Sequence, residues 1–232
     1  MTSFIHIRAI LHKQIKDALA NRLTILIFLL FPLLSIVFKG IVNEEELKVM
    51  LPSFITMNTV MIPIISMSSS IAEEKEKHSL RMLIMSNVKA WEYIIGMSMS
   101  VFCTAFSSSL LFLFFFDISG STILVFFVAT TMGIIFSLLI GAILALLSKN
   151  QMSIGPITAP VSMIIGLFPM FAKMNDKLET PAKFLYSYYI REMFETFQFN
   201  YNLMSLLILI VNFLVLIVLF ILLYKNKGLL SK

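Results

Sequence analysis

Six apolar runs dominate this chain, at residues 23–38, 51–72, 93–116, 122–147, 152–171 and 203–224. Their lengths cluster around the roughly 20 residues that an α-helix needs to cross a bilayer. A backbone surrounded by lipid must satisfy its own hydrogen bonds, so such runs predict spanning helices. Together they use most of the 232 residues, leaving one membrane domain over 1–232 and no separate soluble one. The composition agrees, with 59% of residues hydrophobic and 13% charged, against about half and about a quarter in soluble domains. The predicted fold is all-α and polytopic. The first run is the shortest and is expected to borrow residues 40–42. No small-residue cleavage site follows it, so it reads as a retained span and not a signal peptide.

Charge in the flanks orients the spans. Arg8, Lys13, Lys16, Arg22, Lys75, Lys77, Arg81, Lys89, Lys149, Lys225, Lys227 and Lys232 fall on one side. The other side holds only Lys39, Lys48, Lys173, Lys177, Lys183 and Arg191. The positive-inside rule then predicts that both termini are cytoplasmic in a multi-pass protein of the cell membrane. The net charge of +5 is spread over short loops, so membrane lipids and not nucleic acid are the expected anionic partner.

Two segments outside the spans carry pattern of their own. In 1–22, Phe4, Ile7, Leu11, Ile15 and Ala18 recur at three- and four-residue steps, while Arg8, His12, Lys13 and Lys16 fall elsewhere. This predicts an amphipathic helix in the inner interface, with an ordinary cytosolic helix as the alternative. The outer loop 173–202 is rich in aromatics, among them Phe184, Tyr186, Tyr188, Tyr189, Phe194 and Phe197. It is expected to fold back into the outer interface as short re-entrant helices. The single cysteine, Cys103, excludes an intramolecular disulfide and reads as a small packing residue.

Small residues repeat every four positions in two spans: Gly96, Ser100, Thr104 and Ser108, then Gly133, Ser137, Gly141 and Ala145. Such stripes let helices approach closely in lipid. Five of the seven prolines, Pro52, Pro63, Pro156, Pro160 and Pro169, lie in spans two and five. Interrupted helices at matching places in two three-span halves point to a transport route. The same spans carry Thr56, Met57, Asn58, Thr59, Met61, Thr158, Ser162 and Met163. Methionine adapts to varied apolar surfaces. We read Thr56, Met57, Asn58, Thr59, Met61, Pro63, Pro156, Thr158, Pro160, Ser162 and Met163 as bordering a route for apolar or amphipathic cargo. Kinked helices without a cargo role are the alternative.

The most unusual local feature is Glu73-Glu74-Lys75-Glu76-Lys77-His78-Ser79-Leu80-Arg81-Met82-Leu83, a charge cluster between two apolar runs. It predicts a short surface helix able to dock a partner, within a cytoplasmic region 73–92. Ionisable groups are missing from the span interiors, which disfavours an ion-coupled carrier. No G-x-x-x-x-G-K-[ST] loop occurs, so energy from ATP requires another subunit. Enzyme signatures fail as well: the histidines are His6, His12 and His78, with neither H-E-x-x-H nor G-x-S-x-G. An intramembrane protease of the E-E-x-x-x-R type would place an arginine where His78 stands.

Segment 73–96 resembles the ABC-2 family of transporter membrane subunits. Their pattern after span two alternates acid and base, followed by Gly-Thr-Leu, a Leu-rich turn, Thr/Ser-Pro-Val and Gly-Lys. Here Glu74-Lys75-Glu76-Lys77, Ser79-Leu80, Leu83, Ser86, Val88 and Gly96 fall in step, with His78, Asn87 and Met97 as departures. The resemblance implies two paired membrane subunits, as a homodimer or a paralogous heterodimer, above two ABC ATPase subunits. ATP and magnesium would sit on those partners, with no cofactor in this chain. It implies a coupling helix at about 74–85, in which Leu80, Met82 and Leu83 fill a cleft on the ATPase. Glu73, Glu76, Lys77 and Arg81 would make its polar contacts, with Glu74, His78 and Ser79 between them. The function expected is the membrane subunit of an ATP-driven exporter of apolar or amphipathic cargo. Within the family, the Lys/Ile/Asn/Phe-rich composition suggests a low-GC Gram-positive bacterium, and the resemblance is expected to extend to bacterial peptide exporters of the kind that export phenol-soluble modulins. A non-transporting assembly or immunity protein would share this topology.

Overall fold

The computed structural model describes residues 2–77, 88–116, 118, 120, 122–148, 150–173, 175–199 and 202–227. The described residues form helices and no strand. In chain order these are α1 (Thr2–Ala20), α2 (Arg22–Lys39), α3 (Glu44–Glu76), α4 (Ala90–Phe115), α5 (Thr122–Leu147), α6 (Gln151–Ala172), α7 (Asp176–Ala182), α8 (Tyr186–Thr196) and α9 (Leu203–Lys227). Six of them, α2 to α6 and α9, are long and apolar enough to cross a membrane.

Local chemistry sets the helix ends. The α1–α2 elbow turns on one residue, Asn21, whose Oδ1 accepts from Leu23 N–H at 3.0 Å. Gly40 caps α2 just after Lys39, so residues 40–42 stand outside the helix and the first span does not borrow them. Asn43 then caps α3, accepting from Glu46 N–H at 2.9 Å. Glu44, Glu45 and Glu46 occupy its first turn, where carboxylates complement the positive end of the helix dipole. This polar start carries α3 well beyond the apolar run on which the second span was predicted.

The long α3 is the axis of the fold, packed against α2, α4, α5, α6 and α8. Glycine supplies the close approaches. A Cβ at Gly141 would lie 2.8 Å from the carbonyl oxygen of Ile64, and one at Gly96 would lie 2.9 Å from Ile10. The small-residue stripes also serve a second purpose. Proline removes the N–H that would bond the carbonyl four residues earlier. Pro32 thus frees the carbonyl of Phe28, and Ser108 Oγ of α4 donates to it. Pro63 frees the carbonyl of Thr59, and Ser137 Oγ of α5 lies 3.3 Å away. Within lipid each unmet carbonyl costs several kcal/mol, so Ser108 makes Pro32 tolerable, while Ser137 has one proton for the Thr59 carbonyl and the nearer Gly133 carbonyl at 2.6 Å.

Cys103 is exposed and faces away from the core, which corrects its reading as a packing residue. By contrast α9 touches only α5 and α8 extensively, and its apolar side chains stay mostly outward.

The region between α6 and α9 is re-entrant, as expected. Tyr186 stacks on Phe136 with centroids 4.8 Å apart, while Phe194 meets Phe126 at 5.7 Å. The helix α8 therefore starts deep and runs outward along α5. Its first residue meets Ser137, about 22 Å from the Thr122 end at 1.5 Å per residue. The irregular tip before it is satisfied by protein: Tyr189 Oη donates to the Lys183 carbonyl at 2.9 Å, and Asn212 Nδ2 to that of Phe184 at 3.1 Å.

Candidate functional site

The charged end of α3 is fastened to three other helices. Glu74 is buried and accepts from Lys13 Nζ at 2.6 Å and Gln14 Nε2 at 2.9 Å, both on α1. Lys75 Nζ donates to the carbonyls of Ala145 at 2.7 Å and Ser148 at 3.2 Å, at the end of α5. Glu76 Oε2 accepts from Gln151 N–H at 2.9 Å, at the start of α6. Successive residues on a helix point about 100° apart, so consecutive side chains reach different neighbours. The signs also fit the dipoles. A cation closes the negative C-terminal end of α5, and an anion closes the positive N-terminal end of α6. Hydrogen bonds to charged groups contribute about 1.5–3 kcal/mol each, making this a firm joint. Glu73 pairs with Lys77 one turn on, and that carboxylate holds the Lys77 ammonium above its ordinary value.

The α6 start is built for its role. Asn150 and Ser153 form a capping box, with Asn150 Oδ1 accepting from Ser153 N–H at 2.9 Å. Across the joint, the first turn of α4 binds α1: Glu92 Oε2 accepts from the Lys89 N–H at 3.1 Å and lies 2.8 Å from His6 Nδ1.

The predicted coupling residues thus divide. Glu73, Glu74 and Glu76 form the last turn of α3 and Lys77 caps it, which corrects the expectation that a separate surface helix begins at Glu74. His78, Ser79, Leu80, Arg81, Met82 and Leu83 lie outside the described residues. The predicted cargo residues divide too. Thr56, Met57, Asn58, Thr59, Pro63, Thr158 and Ser162 are buried, and Met61 is partly buried. Thr158 faces Ser68 of α3 at 3.1 Å, so spans two and five pack directly on each other. Asn58 Nδ2 donates to Ser109 Oγ at 2.9 Å. Pro156, Pro160 and Met163 occupy the exposed face of α6.

Two polar anchorages of α3 escape sequence reasoning, one at this joint and one towards its other end. Lys13 and Gln14 act as a polar claw on Glu74, yet locally they look like the solvent face of α1. Arg191 is buried in α8, with Nη1 2.6 Å from Glu195 and Nε 3.3 Å from Ser53 Oγ. Its i,i+4 spacing to Glu195 was the available signal. A cleft of about 720 Å³ opens beside the joint, between the α1–α2 elbow and the facing parts of α3 and α4.

Six spanning helices, a charged joint at the end of the central one and a re-entrant hairpin at the far end define a polytopic membrane transport component. Residues 47–224 match the profile of the family described as ABC-2 family transporter protein. That match covers most of the chain, which belongs to this family. Membership makes it a membrane subunit of an ABC transporter and implies an ABC ATPase as its partner. No curated protein matches the chain.

Proposed function

We propose that this chain is the membrane subunit of an ATP-driven exporter, in which the segment after α3 receives motion from the ATPase. The observation that carries this reading is the three-way joint of Glu74, Lys75 and Glu76. A push delivered beyond Lys77 reaches α1, α5 and α6 together. The excess of basic flanks at the α1 end supports a cytoplasmic position for that end and for both termini.

A second membrane subunit completes the transporter in this proposal. The exposed Pro156, Pro160 and Met163 border the cargo route between the two subunits, while the buried Thr56, Asn58, Thr59, Thr158 and Ser162 set how α3 and α6 move within the bundle, Thr158 through Ser68 and Asn58 through Ser109 of α4. The cargo proposed is an amphipathic peptide, of the phenol-soluble-modulin kind.

The test is co-purification with an ABC ATPase followed by charge reversal at Glu76 and at Arg81. We expect cargo-stimulated ATP hydrolysis to fall at least tenfold in each. Unchanged binding and hydrolysis in both would remove the coupling assignment.

A further inference from the structure

The cleft beneath the α1–α2 elbow has an unusual polar lining. Hydroxyls in the spans generally bond a carbonyl of their own helix, as Thr56, Thr59, Ser68, Thr104 and Ser109 do. Ser66, Ser69 and Ser70 of α3 line the cleft at one-turn spacing and make no hydrogen bond of this kind among the described residues. All three are half-buried, so their hydroxyls stay open to whatever enters the cleft.

Charge in the cleft is unevenly paired. Lys13 is engaged by Glu74 and Lys77 by Glu73, whereas Asp17 forms no ion pair among the described residues. Among the described lining residues Asp17 is therefore the carboxylate left without an ion pair, and it gives that end of the cleft an open negative charge. Deeper in, Ile27 and Phe28 of α2, Ile65 of α3 and Val101 of α4 supply an apolar wall. The volume of about 720 Å³ lies within the range of small-ligand sites.

We infer that this cleft binds an amine-headed amphiphile, with the cationic head at Asp17, the hydroxyls of Ser66, Ser69 and Ser70 around it, and the apolar stem along Ile27, Phe28 and Val101. The inference deepens the export reading, because it names the chemical class that the transporter takes up. An ammonium head supplies the missing positive charge and donates to three open acceptors at once. A sulfate or carboxylate head meets an open like charge.

The experiment uses the full chain in phosphatidylcholine nanodiscs and a dodecylamine probe bearing a diazirine in its chain. Comparator probes carry a sulfate or a hydroxyl head on the same chain. We expect the amine probe to label residues lining the cleft at least tenfold more strongly than the sulfate probe. Asp17→Asn should weaken labelling about fivefold without shifting the melting temperature, since the Asp17 side chain is exposed and forms no hydrogen bond or ion pair among the described residues. The Ser66→Ala/Ser69→Ala pair should weaken it further. Equal labelling by amine and sulfate, indifference to Asp17→Asn, or labels mapping elsewhere would overturn the site. Competition by phosphatidylethanolamine identifies a lipid amine as the occupant, and competition by an amphipathic peptide with a free N-terminus identifies a peptide. Competition by neither overturns the inference. Cargo-stimulated ATP hydrolysis is read separately, so its absence with labelling intact removes the export reading and leaves the site.

Discussion

Lys75 Nζ lies 2.7 Å from the carbonyl oxygen of Ala145, so a cation at the end of α3 closes the end of α5. The bond joins positions 70 residues apart at the point where both helices finish. Lys75→Met keeps the length of the side chain and removes the charge. We expect it to cost about 2 kcal/mol, the scale of a hydrogen bond to a charged group, read as a lower melting temperature of the purified chain in detergent. Lys75→Arg should recover part of the loss.

Glycine substitutions should grade by what the new methyl group meets. At Gly141 it meets the Ile64 carbonyl and Met67 Cβ, both at 2.8 Å, and backbone cannot move aside. Gly141→Ala should destabilise by about 1–3 kcal/mol, the usual range for overpacking. At Gly166 the contact is the flexible Met61 side chain, so Gly166→Ala should cost less. Nothing lies near Gly155, and Gly155→Ala should be silent or mildly stabilising in the same melting assay.

The polar links in mid-membrane should prove modest. Asn58→Leu removes the bonds to Ser109 Oγ and Ser108 Oγ and leaves Ser108 with its bond to the Phe28 carbonyl. Interhelical hydrogen bonds in bilayers average about 0.6 kcal/mol, and we expect a loss of about 1 kcal/mol. A loss several times larger would show that Asn58 organises the proline carbonyls of α2 as well.

The re-entrant hairpin should loosen at both extremes of pH. Hydrogen bonds from Lys183 and Tyr188 hold the Glu179 carboxyl below its ordinary 4.5. A depressed acid stabilises the fold above its unfolded value, and that contribution disappears as pH falls through the lower folded value. Glu179 in turn raises Lys183 above 10.5. A raised base stabilises below its unfolded value, and the contribution is lost as pH rises through the folded one. Burial pushes Tyr188 to about 12, so its phenol stays neutral over most of that climb. Protection factors across α7 and α8, with the intrinsic pH dependence of amide exchange divided out, should fall as pH drops below 4.5 and as it rises above 10.5. Glu179→Gln should abolish the acid limb.

The spans were legible because lipid imposes a length and a composition that no tertiary contact can override. The apolar runs at 122–147 and 152–171 match α5 and α6 to within a residue. Legibility failed where distant partners decide. Ile10 stands outside the predicted apolar face of α1 (Phe4, Ile7, Leu11, Ile15 and Ala18), yet it is the residue of that helix buried in the core. The helix is turned by Gly96, Glu74 and Glu92, which lie 60 to 86 residues away. No local periodicity could report that. Polar residues that anchor α1, such as His6 and Gln14, look from the sequence like breaks in the pattern. The extension of α3 to Glu44 was hidden for the opposite reason, because its capping turn is charged and outside the apolar run. At the coupling site the charges were visible, but the division of Glu74, Lys75 and Glu76 among three helices required the fold.

Asn212 has a consequence for how the chain is made. It sits on α9, which is synthesised after the hairpin, and its amide closes the Phe184 carbonyl at the hairpin tip. Until that helix emerges from the ribosome and inserts, the tip carries an acceptor without this donor in an oily setting. Chain order thus makes a later spanning segment the latch that completes the backbone bonding of the hairpin tip. A nascent chain released before α9 holds an unfinished hairpin, a state that membrane quality control could recognise.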